Sequence, residues 1–188
     1  KAQAMKETTR AGKASLSVRL AEAQGGEYAG LEAQRQADLA KAKADRDDAI
    51  AAAKERARLR KESLQYLFTE GIGKAGTSKQ FLDSIPSNIS NQKARDSITQ
   101  QYDELKKLFD KPITTESLKS IDKVIADMSV EVSTGGGDAA LTAKLKDLKQ
   151  ASKTAEEGIL DLSNTTTSSN AAFELLKPHI EGLADETL

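Results

Sequence analysis

Apolar positions recur at helical steps along nearly the whole chain, and what changes from one end to the other is the size of the side chains that carry them. From Leu31 to Phe68 no Gly or Pro interrupts a run of strong helix formers. At 1.5 Å per residue, a helix over that range is ~55 Å long and must project or pair along its length. Its apolar stripe is mostly alanine. Ala33, Ala37, Ala40, Ala44 and Ala51 recur at steps of three, four or seven, and Ile50, Ala53, Ala57, Leu64 and Leu67 form a second series. This is heptad-like spacing with small knobs, interrupted once by Arg60. Packing and self-association are therefore assigned to Ala33, Ala37, Ala40, Ala44, Ile50, Ala57, Leu64 and Leu67. Upstream, Gly25, Gly26 and Gly30 each cost ~1 kcal/mol relative to Ala inside a helix, so a kink or short break is predicted there.

Gly71, Gly73 and Gly76 then end the run. Ser78 is a cap for a short helix through Ile85, stopped by Pro86. Ser90 or Asn91 caps a helix with Ala94, Ile98, Tyr102, Leu105 and Phe109 on one face, and Lys111-Pro112 closes it. Thr114 or Thr115 starts another, carrying Leu118, Ile121, Ile125, Met128 and Val132. After Ser133 to Gly137, Asp138 is a good N-cap. Leu141, Leu145, Leu148, Ala155, Ile159 and Leu162 continue the 3.6 period. Ser163 to Asn170 reads as a polar linker. A last helix holds Phe173, Leu176, Ile180 and Leu183, with Pro178 expected to kink or divide it. Ser129 to Ser133 alternates like a strand but has nothing to pair with.

The expected fold is all-α. A long N-terminal helical arm or coiled coil (residues 1–70) precedes a bundle or set of hairpins of shorter amphipathic helices (residues 71–188), with flexible breaks at 133–137 and 163–170. Composition agrees. Among 188 residues, aromatics are 4%, with no Trp, and charged residues are 30%. Thin bundles need less aromatic bulk than compact cores, because each helix hides only a stripe. Net charge is −1, divided as +3 over residues 1–70 and −4 over the rest, too mild to indicate nucleic acid or an anionic membrane. Without Cys there are no disulfides or thiolate metal sites. No stretch approaches the ~18 apolar residues of a membrane span. The first residue is Lys1, and the chain is read as an excerpt of a longer one.

Candidate chemistry is sparse. Gly71 and Gly76 have the separation of a phosphate-binding loop, but Thr77 stands where that motif needs Lys, and a helix precedes it where a strand should be. His179, the one histidine, shows neither a nucleophile nor an orienting partner. Asp47-Asp48 and Glu156-Glu157 are adjacent, so on a helix they diverge by about 100° and do not converge on a substrate or metal. Lys54, Arg56, Arg58, Arg60 and Lys61 spread around more than one face, with Glu55 and Glu62 placed for ordinary helix-surface pairs. Asn88-Ile-Ser90 and Asn164-Thr-Thr166 match glycosylation acceptors, a frequent chance pattern. No enzyme activity, cofactor, metal or small-molecule substrate is expected.

The segment LEAQRQADLAKAKADRDDAIAAAKERARLRKES, with the Thr/Ser/Gly-rich breaks and near-absence of aromatics, resembles in texture the tail tape-measure proteins and ejected internal virion proteins of bacteriophages. That resemblance implies a non-enzymatic, long helical protein of the virion, packing against copies of itself or an enclosing assembly. Tape-measure proteins often carry a long apolar segment, and these residues have none. Two alternatives are a membrane-active helical toxin or secreted effector, and a helical adaptor that binds a partner's helix in a groove.

Overall fold

The computed structural model describes residues 2–85, 89 and 91–182, with side chains from residue 12 onward except those of residues 14, 24, 27 and 28. It is all-α, with no strand among the described residues. The order is α1 (Ala2–Glu70), a 3₁₀ turn (Gly73–Ala75), α2 (Ser78–Ser84), α3 (Gln92–Phe109), α4 (Thr115–Thr134) and α5 (Ala139–Gly182).

Short polar side chains set the helix starts. The Thr77 hydroxyl accepts from the Gln80 amide at 3.2 Å, one residue before the expected Ser78 cap. Asn91 Oδ1 accepts from Lys93 N at 3.0 Å. Thr114 and Ser117 satisfy each other's backbone amides in a capping box. Asp138 Oδ1 accepts from Leu141 N at 2.6 Å. Each satisfies an amide that the first helical turn leaves without a partner. Ile85, before Pro86, is extended at φ −82°, ψ 127°, as a following proline demands. The alternative cap Ser90, the stop Pro86, the acceptor Asn88 and the core position Leu183 lie outside the described residues. Ser129 to Ser133 is helical, inside α4.

Inter-residue contacts divide the chain into two units, residues 1–52 with 164–188, and residues 53–163. This partition differs from an arm of 1–70 followed by a bundle of 71–188, and each unit contains part of α1 and part of α5. In the 53–163 unit, α3 and α4 pair as a helical hairpin across residues 110–114. One core joins Leu64 and Phe68 of α1, Phe81 of α2, Ile98 and Leu105 of α3, Ile121, Ile125 and Met128 of α4, and Leu145 and Leu148 of α5. Ring stacking closes it at two points. Phe68 lies on Phe109 with centroids 4.0 Å apart, and Phe81 on Tyr102 at 4.5 Å. A chain with so few aromatics thus places four of them in one core.

One predicted break is present and three others differ. Gly26 has φ 74°, ψ −170°, a non-helical break inside α1, and this is the predicted kink. By contrast, Ser163 to Asn170 is not a flexible break: it lies inside α5, with Thr165, Thr166 and Ser169 half-buried. The run has no Gly or Pro. Ser, Thr and Asn each cost only about 0.5 kcal/mol in a helix, a penalty that packing readily overrides. Pro178 likewise does not divide α5, which continues to Gly182. The connection at 133–137 is shorter than expected, since α4 runs through Thr134 and the chain turns at Gly136 and Gly137, with φ of 126° and 70°.

Candidate packing surfaces

Between α1 and α5 the side chains at the contact are small or unusual, and this decides how closely the helices approach. In the 53–163 unit, the α1 side of the contact is Ala53, Ala57 and Leu64, all buried. The α5 side is Leu148, Ser152, Ala155 and Gly158. A methyl group at Gly158 would stand 3.3 Å from Ala57 Cα and 2.8 Å from Arg60 Cδ. Gly158 therefore permits backbone-level approach at Ala57, with the Arg60 stem lying across it. Arg56 donates to Asp161 at 3.0 Å. Gly158 meets Ala57 while Asp147 lies beside Leu67 in one groove, so the two helices run antiparallel.

Ser152 is fully buried and its hydroxyl has no partner. It sits at a seam position where the 3.6 period asked for an apolar residue. Tyr102 is also fully buried, with its phenol unpartnered. Burial, and then the neighbouring Asp103 carboxylate, push its pKa above the ordinary tyrosine value.

In the 1–52 and 164–188 unit the seam is not the one read from the alanines. Arg35, Leu39, Ala42, Arg46 and Ile50 are half-buried at steps of four, three, four and four, and face Ser169, Phe173 and Ile180. Arg46 lies over the Phe173 ring, 4.6 Å from its centroid. Arg35 donates to the carbonyls of Ile180, at 2.6 Å, and Glu181. Here too the strands of helix run antiparallel. The physical reason is size: arginine stems and an aromatic ring bury more apolar area than alanine methyls, and the guanidinium gains the ring face and the last carbonyls of α5. Beside this seam runs a groove of about 450 Å³. Its apolar floor is Ala42, Ala172, Phe173, Leu176 and Ile180, and Asp38, Lys41 and Asp45 form one wall.

The eight residues assigned to packing therefore separate. Ala57 and Leu64 pack in the core of the 53–163 unit, buried within the chain. Leu67 is exposed at 38% and lines a groove with Leu59 and Ala151. Ile50 is half-buried at the α1–α5 seam. Ala33, Ala37 and Ala44 are half-buried and Ala40 exposed, on the side of α1 turned away from that seam. Periodicity missed Arg35, Arg46, Ser152 and Gly158, whose polarity or lack of a side chain hides them from an apolar count. The one available signal was Arg60, an arginine on the stripe that lies over a glycine.

The Gly71–Gly76 loop presents the Gly76 carbonyl to the Lys106 ammonium, the opposite polarity from an amide cradle for phosphate. His179 is exposed on α5. Arg58 bridges Glu55 and Glu62 on the surface of α1; the hydrogen bond from Arg58 holds the Glu55 carboxyl below its usual value, and these carboxylates raise that of Arg58. Among the described residues no group of His, Asp or Glu side chains is placed to hold a metal ion, and no helix is long and apolar enough to cross a membrane. No protein-family model, curated protein or solved structure matches the chain.

Proposed function

We propose that this chain is a non-enzymatic structural protein that acts by helix packing against copies of itself within a larger assembly. One observation carries the reading. In the 1–52 and 164–188 unit, the α1–α5 pair leaves an apolar groove open to solvent, with Leu176 on its floor exposed at 46%. A further helix laid there would cover Leu176, Ala172 and Ile180, with Lys41 and the aspartates as a polar rim. The textural resemblance of residues 31–63 extends the proposal to a helical component of a phage virion, of the tape-measure or ejected kind. In that role helix length sets distance, and breaks such as Gly26 let the chain bend.

Sedimentation across a concentration series tests self-association. The expected result is a mass that rises with concentration in the micromolar range, and that Leu176→Glu returns to the monomer with unchanged helicity. A monomer at every concentration would remove the self-association reading in favour of the adaptor alternative. Mass spectrometry of purified virions tests the virion assignment, which fails if the chain is absent from them.

A further inference from the structure

The alanine stripe of α1 turned away from α5 needs an occupant other than the groove's, and the segment before Gly26 matches it. Gly26 sits at φ 74°, a conformation that breaks the helix and that glycine alone adopts without strain. On the two sides of the break the chain already touches itself. A methyl group at Gly25 would stand 2.5 Å from Ala29 Cβ, and one at Gly30 would collide with the Glu22 side chain. In a straight helix, residues 22 and 30 are ~12 Å apart along the axis, so the two segments bend towards each other at Gly26.

Beyond the bend, the two stripes share one register. Val18 and Ala21 are half-buried, whereas Leu16 and Leu20, on the opposite face, are exposed at 71% and 60%. The small-residue face is thus the inner one, and the sequence continues its three-and-four step back through Ala14 and Ala11. Laid antiparallel, Ala21, Val18, Ala14 and Ala11 come level with Gly30, Ala33, Ala37 and Ala40. Flanking positions near the bend include Ser15 and Ser17 on one side and Gln34 and Gln36 on the other, all neutral, with the Glu22 side chain lying against Gly30. Gly12 shares the outward face with Leu16 and Leu20, and nothing lies within 4 Å of where a side chain would begin there.

We infer that residues 11–25 form a hinged latch that closes about Gly26 onto Ala33, Ala37 and Ala40 of the same chain. The stripe is then occupied within one molecule, and Leu16 and Leu20 face outward. This does not rest on the groove beside α5, since the latch covers the other side of α1.

The absence of cysteine makes the test direct. Val18→Cys with Ala33→Cys in the full chain brings two thiols level in the proposed register, whereas Val18→Cys with Ala51→Cys places them on the same stripe but ~27 Å farther along. At low micromolar concentration, mild oxidation is expected to give an intramolecular disulfide at least ~10-fold faster for the first pair. Gly26→Ala should slow that closure, because alanine resists φ 74° and favours a continuous helix. Equal rates for the two pairs, or linkage mainly between molecules, overturns the latch. Should the cysteine variant fail to fold, spin labels at Lys13→Cys and Lys43→Cys decide it: a closed latch gives a separation under ~20 Å and a straight helix ~45 Å.

Discussion

The core of the 53–163 unit is not purely apolar. Ser152 and Tyr102 are fully buried with unpartnered hydroxyls, and such a group costs about 1–3 kcal/mol when dehydrated and unpaired. Tyr102 keeps its place because its ring stacks on Phe81, a contact that phenylalanine can also make. Tyr102→Phe is therefore expected to raise stability by roughly 1 kcal/mol at neutral pH, read by denaturant unfolding. The pH dependence has a definite sign. Burial raises the folded-state pKa, so the phenol is neutral in both states below about 10, the ordinary value. Above it the unfolded chain releases its proton first, and stability falls as pH rises through the folded pKa. The variant should lack that part of the alkaline loss; equal loss in both proteins would show that Tyr102 ionises as freely folded as unfolded.

At the scale of elements, the 3.6 period was enough to place α3, α4 and the first part of α5, because most of their apolar positions are large and fall in the core. Ala94, Ile98, Tyr102, Leu105 and Phe109 are all buried, as are Leu118, Ile121, Ile125, Met128 and Val132. The same reading failed at Ser163 to Asn170, where polarity was taken for flexibility. Polarity governs which face is wet, whereas Gly and Pro govern whether a helix can continue, and that run has neither. A proline separates the two ideas. Ser168 is exposed, so Ser168→Pro would shift stability by less than ~0.5 kcal/mol in a loop. Inside α5 it removes a backbone hydrogen bond and clashes with the preceding turn, at a cost of about 3 kcal/mol. Thermal melts of the full chain followed by circular dichroism are expected to show that loss. An unchanged melt would return the segment to a linker.

Across the whole molecule, the limits of the sequence reading share one origin: small and charged side chains were assigned by their own character when their neighbours decided their role. Alanines 33, 37, 40 and 44 have the right spacing for a seam, yet the seam of that unit is built on Arg35, Leu39 and Arg46, because Phe173 and the last carbonyls of α5 are there to receive them. The consequence for stability is uneven. The 53–163 unit buries leucines, isoleucines and four stacked rings, whereas the other unit has Leu39, Ile50, Phe173 and Ile180 only half-buried. Apolar burial is worth about 25 cal/mol per Å², so local opening should be far less costly in the thinner unit. Native-state hydrogen exchange is expected to show amides of residues 31–48 and 166–176 exchanging at least ~100-fold faster than those of residues 98–105 and 121–128. Self-association gives the measurement a second arm, because a partner that binds only the folded form protects it in proportion to its concentration. Protection in the thin unit should therefore rise with protein concentration, while that of residues 98–105 and 121–128 stays constant. Uniform protection across both units at low concentration would mean that the narrow seam is as stable as the stacked core, and the size of the buried side chains would then not be what sets their order.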